Sequence, residues 1–349
     1  MSTEARTDTV PAANPTDDIE PHILSKLDPD FIQYYVDVLS KVPPAQAVSI
    51  QQVRAHPERF RAAIALDSSG FERVRDYAVT SEDGAEIPVR VYHPDPEKHG
   101  SGPYPVHLNF HGRATQAYHL EICLSMRDNA GVVVVDVNYR HCPEVIWGKC
   151  VQDGMAALNW ARSSATILNL NPDSISIGGV SAGGHISFIL QHMARDAGLP
   201  LKLCMASVPP STDGLGYKYY TDSPFPSFHE FYRGPILPWA RISWFGAHCM
   251  PPDKLPELRA MWPDWWFAPI RAPDWKGLCD AFIRTAECDP LRDEGEAYGM
   301  KLVAGGNKVT IKRYLGCPHT FMYLPFMKQK EVYDQDAIEA LRTAHGLQT

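Results

Sequence analysis

Ser174-Ile-Ser-Ile-Gly-Gly-Val-Ser-Ala-Gly-Gly-His-Ile-Ser-Phe-Ile-Leu190 combines a strand pattern, a tight turn and a helix pattern. Isoleucines alternate with serines before the turn, and apolar residues recur at helical spacing after it. The turn itself, Gly179-Val-Ser-Ala-Gly183, has the pattern G-x-S-x-G. This pattern is typical of a serine on a sharp strand-to-helix turn, with its hydroxyl near the helix N-terminus. The stretch therefore predicts Ser181 as a catalytic nucleophile.

Strand and helix patterns alternate on both sides of this stretch, behind a hairpin with the turn Ser81-Glu-Asp-Gly84. The hairpin strands are predicted at 71–80 and 87–92, and six further strands at 106–110, 132–137, 175–177, 201–206, 281–285 and 309–314. Helices are predicted between them at 120–129, 153–164, 185–197 and 294–303. This order predicts the α/β class, with an eight-stranded, mostly parallel sheet covered by helices on both faces.

Three segments lie outside this alternation. Residues 1–20 contain almost nothing to bury and are predicted to be a disordered tail, whereas residues 21–66 are predicted to form N-terminal cap helices. Residues 207–276 are rich in proline and aromatic residues and are too long for a normal connection, which predicts a cap insertion. The catalytic core is then expected to comprise residues 67–206 and 277–349.

The aromatic residues of the insertion are candidate substrate contacts. Most of them are expected to hold the insertion together, and about a third to touch a ligand. The candidates for substrate binding are Tyr220, Phe228 and Trp266. An aromatic cap favours an apolar or aromatic substrate of small to medium size.

Charge and composition restrict the class of partner. The formal net charge is -8, and the sequence contains no block of Lys or Arg. Both observations argue against nucleic acid or an anionic membrane surface as a partner. The N-terminus has no apolar signal region, so a cytoplasmic protein is expected. Eight scattered cysteines predict free buried thiols, and no spacing predicts a metal or cofactor. The expected partner is a small-molecule substrate, and a homodimer is left open.

A nucleophilic serine needs a base, and the base needs an acid that holds its tautomer. On this topology the acid and then the histidine follow the serine, each in a loop after a strand. Asp289 follows the strand predicted at 281–285, and His319 follows the last predicted strand. We expect these two residues to be catalytic, with Glu287 as the rival acid.

Five ordered motifs resemble those of the hormone-sensitive-lipase-like esterases of the α/β-hydrolase fold, from about residue 67 to the end. They are His111-Gly-Arg, Asn138-Tyr-Arg-His-Cys-Pro-Glu144, Gly179-Val-Ser-Ala-Gly-Gly184, Asp289-Pro-Leu-Arg-Asp-Glu-Gly295 and His319-Thr-Phe. The resemblance implies a Ser181–Asp289–His319 triad. It also implies a cap built from N-terminal helices and the insertion after the sixth strand.

The chain departs from that family in the stretch that supplies the oxyanion hole. The family has H-G-G-G, whereas this chain has His111-Gly-Arg-Ala114. The backbone N–H groups of Gly112, Arg113, Ala114 and Ala182 are the candidate donors, and losing one donor costs about 100- to 1000-fold in rate. Arg113 is also a candidate for binding a substrate carboxylate or enolate, because its guanidinium makes bidentate charge-assisted hydrogen bonds.

The leading hypothesis is a serine hydrolase that cleaves a carboxylic ester through an acyl-enzyme intermediate. The altered oxyanion stretch keeps open an elimination, lactone-opening or cyclisation enzyme acting on a natural-product intermediate in the same pocket. A small-molecule receptor is the third hypothesis. A receptor has no reason to keep the catalytic base, so the retained triad residues count against it.

Overall fold

One sheet organises the computed structural model, which describes residues 15–55, 71–112 and 120–347. Within these residues the sheet has eight strands in the order β1-β2-β4-β3-β5-β6-β7-β8. The strands are β1 (Val74–Thr80), β2 (Glu86–Tyr92), β3 (Tyr104–Phe110), β4 (Val133–Val137), β5 (Leu170–Val180), β6 (Leu203–Ser207), β7 (Asp280–Cys288) and β8 (Val309–Pro318). β1 and β2 form the predicted antiparallel hairpin, and β3 to β8 run parallel. The predicted fold class is confirmed.

Helices of the described residues connect and cover these strands. They are α1 (Pro21–Leu24), α2 (Pro29–Asp37), α3 (Ile50–Ala55), α4 (Pro96–His99), α5 (Leu120–Ser125), α6 (Lys149–Ser163), α7 (Ala182–Asp196), α8 (Pro226–Glu230), α9 (Trp239–Cys249), α10 (Leu255–Met261), α11 (Asp264–Phe267), α12 (Arg292–Ala304) and α13 (Lys328–His345). α13 has no counterpart among the helices predicted from the sequence. Its buried residues Tyr333, Ala337 and Leu341 recur every four positions, which is the signal that could have identified it.

The strand alternation divides the core between the two faces of the sheet. Leu108 and Ile177 point to one face and pack with α6 and α7 in one buried cluster. Val134 and Phe282 belong to a second cluster, which also contains buried residues of α13. Because successive strand residues point to opposite faces, this pattern places helices on both sides, as the alternation predicts.

Residue 207, the first of the predicted insertion, still belongs to β6, and residues 208–276 form helices α8 to α11 with short 3₁₀ turns and contain no strand. Their own small core joins Phe228, Leu237 and Ile242 to Leu291, which lies just before α12. Apolar packing therefore ties the insertion to the loop that follows β7. The division of the chain into cap and core remains a prediction.

The N-terminal segment differs in part from its prediction. Residues 1–14 of the predicted tail and 56–66 of the predicted cap helices lie outside the described residues. Ile19, assigned to the tail, is only 3% exposed and packs with Ile23 and Phe31. The part of the chain that packs on the core therefore begins before residue 21, because Ile19 contributes an apolar side chain from an otherwise polar stretch.

Candidate active site

The turn between β5 and α7 holds Ser181 in a sparsely populated backbone conformation, with φ 55° and ψ -115°. The flanking glycines leave no room for side chains. A Cβ on Gly183 would lie 1.8 Å from the carbonyl oxygen of Phe110, and one on Gly179 would lie 2.2 Å from the same atom. The glycines thus let β3 approach the turn closely enough to hold Ser181 at the end of the sheet.

The loops after β7 and β8 bring two of the predicted residues to this serine. The Oγ of Ser181 lies 3.1 Å from Nε2 of His319, and Nδ1 of His319 lies 2.7 Å from Oδ2 of Asp289. Asp289 is fully buried and accepts a further hydrogen bond from the N–H of Leu291 at 3.0 Å. The side chains of Ser181, His319 and Asp289 are therefore connected in series.

Glu287, the rival acid, contacts a different group. Its Oε2 accepts a hydrogen bond from the backbone N–H of Gly316 at 2.7 Å, within β8 and three residues before His319. The carbonyl oxygen of Gly316 in turn accepts from the N–H of Asp28 at 3.0 Å, at the start of α2. Glu287 therefore supports the strand end that leads to His319, and the ring itself faces Asp289.

Gly112 and Ala182, two of the four candidate oxyanion donors, flank Ser181. Ala182 is the first residue of α7, where backbone N–H groups have no partner within the helix. A Cβ on Gly112 would lie 3.7 Å from the Cβ of Ser181, which places this glycine beside the serine. Arg113 and Ala114, the other two candidates, lie outside the described residues.

The end of β3 is held by aromatic packing next to these donors. The rings of His111 and Tyr139 stack with centroids 4.6 Å apart, and the hydroxyl of Tyr139 donates to the carbonyl oxygen of His111 at 2.6 Å. These contacts fix the backbone immediately before Gly112.

The three aromatic candidates for substrate binding lie in different surroundings. Phe228 is fully buried in the insertion core, where its ring packs with Leu237 and Ile242, and its role in substrate binding remains a prediction. Trp266 is 7% exposed and stacks on Trp262. Tyr220 is partly exposed and stacks on Tyr232 at 4.2 Å.

Glu294 and His185 lie near the triad, and the sequence predicted no part in the site for either residue. Glu294, predicted as a first-turn helix charge, is fully buried and accepts hydrogen bonds from the N–H and hydroxyl groups that start the insertion. Burial raises the pKa of the Glu294 carboxyl to about 7. His185, predicted as structural, contacts backbone carbonyl oxygens of the insertion with both ring nitrogens. No sequence pattern distinguishes such partners, because they are remote in the chain.

Within residues 15–55, 71–112 and 120–347, no group of three or more His, Cys, Asp or Glu side chains could hold a metal ion. No helix of the described chain is both long and apolar enough to cross a membrane. None of the eight cysteines, all of which lie in the described ranges, forms a disulfide, and six are buried.

Comparison with known proteins identifies the fold and its chemistry. A family model described as the alpha/beta hydrolase fold matches residues 108–323. An AB hydrolase superfamily protein of Schizosaccharomyces pombe is 30% identical, over 93% of this chain and 96% of its own length. An ethyl acetate hydrolase of Pseudomonas putida is 27% identical, over 85% and 92% of the two chains.

A solved structure is similar over most of the chain. It is EstE1, a carboxylesterase cloned from a metagenomic library, with a TM-score of 0.74 and 29% identity. The match covers 86% of this chain and 98% of EstE1. The predicted resemblance to hormone-sensitive-lipase-like esterases is thereby confirmed. The chain belongs to the alpha/beta hydrolase fold family, among its serine carboxylic ester hydrolases.

Proposed function

We propose that Ser181, His319 and Asp289 form the catalytic triad of this ester hydrolase. The observation that carries the proposal is the continuous hydrogen-bonded series from Ser181 Oγ through the His319 ring to Asp289. In this arrangement Nε2 of His319 accepts the hydroxyl proton as Oγ attacks the ester carbonyl carbon. Asp289 keeps the proton of the neutral ring on Nδ1 and stabilises the imidazolium that forms.

The backbone N–H groups of Gly112 and Ala182 are proposed to bind the oxyanion of the tetrahedral intermediate. The position of both residues beside Ser181 supports this role. Collapse of the intermediate transfers the His319 proton to the leaving alcohol and leaves an acyl group on Ser181. A water molecule, deprotonated by His319, then attacks the acyl carbon and releases the acid.

The proposed substrate is an ester with a small to medium apolar or aromatic part. The aromatic composition of residues 207–276 supports this class, since aromatic side chains bind apolar groups. The similarity to a relative named for ethyl acetate supports a short acyl chain. A cytoplasmic location and a homodimer remain predictions.

The test combines turnover with active-site labelling. We expect hydrolysis of short-chain p-nitrophenyl esters, and mass spectrometry should locate a fluorophosphonate adduct on Ser181, because only an activated hydroxyl reacts readily. Ser181→Ala should abolish both. Ser187→Ala is the matched control, since that hydroxyl donates to the carbonyl of Gly183 within α7. Labelling at another residue, or turnover retained by Ser181→Ala, would refute the assignment.

A further inference from the structure

The insertion leaves the sheet after β6 and returns before β7 through two neighbouring segments, residues 209–212 and 266–270, which we call the neck. The carbonyl oxygen of Ser211 accepts a hydrogen bond from the N–H of Ile270 at 3.0 Å, which joins the two segments. The two chain connections between the sheet and the insertion are therefore held side by side.

His185 contacts both segments of the neck from α7, four residues after Ser181. Its Nδ1 lies 3.1 Å from the carbonyl oxygen of Pro210, and its Nε2 lies 2.8 Å from that of Trp266. Carbonyl oxygens only accept hydrogen bonds, so the neutral ring donates to one of these two oxygens and the imidazolium donates to both. One side chain on the nucleophile helix thus connects the exit and the return of the insertion.

Glu294 contacts the neck from α12, the helix that begins just after Asp289. Its Oε1 accepts from the N–H of Ser211 at 2.7 Å, and its Oε2 accepts from the hydroxyl of Thr212 at 2.6 Å. The hydroxyl of Ser211 also donates to the backbone carbonyl of Glu294 at 2.6 Å. The carboxylate and the main chain of α12 therefore hold the same two residues.

Close backbone packing places the neck between these two helices. A Cβ on Gly184 of α7 would lie 2.9 Å from the Cβ of Pro209, and one on Gly295 of α12 would lie 3.2 Å from the carbonyl oxygen of Pro209. A side chain at either glycine would therefore press against the neck.

We propose that His185 and Glu294 are positioning residues that clamp the neck and set how far the insertion opens over Ser181. The inference rests on the proposed function, with residues 207–276 acting as the cap predicted from the sequence. The clamp connects the helix after the nucleophile and the helix after the acid to one insertion. Loosening either contact therefore changes access for large esters, and leaves the triad geometry intact.

The test uses variants that remove the contacts with little change in shape. His185→Phe keeps a ring against Trp147, whose centroid lies 5.4 Å away, but donates to neither carbonyl. Glu294→Ala removes the acceptor, whereas Glu294→Gln keeps one oxygen for Ser211 and can donate to the hydroxyl of Thr212. Thr212→Val is an isosteric variant that removes the hydroxyl shared by Glu294 and Tyr217, and it is included in case Glu294→Ala does not fold.

Two readouts distinguish a clamp from general damage. For His185→Phe and Glu294→Ala we expect KM for p-nitrophenyl octanoate to change about tenfold, the size expected for about 1.4 kcal/mol of lost contact, with kcat for p-nitrophenyl acetate retained within about twofold. Amide hydrogen exchange in peptides covering the neck should accelerate at least about tenfold. Thr212→Val should change KM and neck exchange in the same direction but by less. Glu294→Gln should return KM and neck exchange to the wild-type values.

The matched controls change the same types of residue at positions that do not contact the neck. Glu296→Gln lies two residues further along α12, where the carboxylate pairs with Arg313 instead. His248→Ala lies in the insertion, but its Nδ1 contacts the carbonyl of Trp244 in its own helix. Both controls should leave KM and neck exchange unchanged.

Each outcome decides one of the two proposals. Without fluorophosphonate labelling of Ser181 in the wild-type protein the proposed triad fails, whereas neck exchange still tests the clamp. If labelling occurs but neck exchange is unchanged in both His185→Phe and Thr212→Val, the clamp is refuted. An equal fall of kcat on both esters would also refute it, because the two residues would then serve the triad.

Discussion

The turn at Ser181 and the neck of the insertion both adjoin α7, but different kinds of contact hold them. Backbone atoms surround the turn, and a Cβ on Gly179 or Gly183 would lie within 2.2 Å of the Phe110 carbonyl oxygen. Side-chain hydrogen bonds from His185 and Glu294 join the neck to α7 and α12, in addition to the close backbone packing at Pro209. Backbone contacts permit no adjustment, whereas side-chain contacts can be replaced one at a time.

The difference separates the part that does the chemistry from the part proposed to admit the substrate. A nucleophile must be held to a fraction of an ångström, which a turn packed on β3 achieves. An insertion that is positioned by a few side-chain hydrogen bonds can change its position without moving the serine. Substitutions in the two regions should therefore have different consequences, and three predictions test this.

The largest effect is expected at the acid. Asp289→Asn should lower kcat by about 10⁴-fold, because an amide fails to hold the His319 tautomer needed by the base. Glu287→Gln should cost less than about tenfold, since Glu287 contacts the N–H of Gly316 and not the ring. Steady-state kinetics on p-nitrophenyl acetate measure both variants. Losses of equal size would mean that both carboxylates act on His319.

A smaller effect, on stability, is expected at the turn. Gly183→Ala should lower the free energy of unfolding by about 3 kcal/mol or more, because the added methyl collides with the Phe110 carbonyl. Gly198→Ala is the control: its φ of +67° is unfavourable for alanine, but nothing lies within 4 Å. That variant should lose about 1–2 kcal/mol. Urea unfolding measures both, and equal losses would show that the turn tolerates a side chain.

The smallest effect is a pH dependence at the neck. Glu294 has a pKa of about 7 in the folded protein, raised from 4.5 first by burial and further by the Asp289 carboxylate. The folded state therefore keeps a proton that the unfolded chain releases. This lowers the free energy of unfolding as pH rises from about 4.5 to 7, by an amount on the order of 3 kcal/mol.

The glutamine side chain of Glu294→Gln cannot titrate, so this variant should lack that part of the decrease in the free energy of unfolding with pH. Urea unfolding of both proteins at pH 5 and pH 8 should show a smaller loss of stability for the variant. Glu296→Gln again serves as the control, because its carboxylate pairs with Arg313 near the surface. Identical slopes for the wild type and Glu294→Gln would show that the Glu294 carboxyl titrates normally.

The alternation of patterns was sufficient to predict the sheet. The hairpin, the six further strands and the helix after Ser181 occur within a few residues of their predicted positions. Each of these depends on periodicity over neighbouring residues, which is a local property. The helix Lys328–His345 was not predicted, although its buried residues follow helical spacing.

The sequence by itself determined the family, the fold and the order of the chemical groups, because the strand-turn-helix pattern and the loop positions after strands are local signals. The tertiary structure decided which acid meets His319, since Asp289 and Glu287 are only two residues apart and only the direction of each side chain separates them. It also decided that Phe228 packs inside the insertion, and that His185 and Glu294 contact the neck. These contacts join residues far apart in the chain, so only the packing of whole elements determines them.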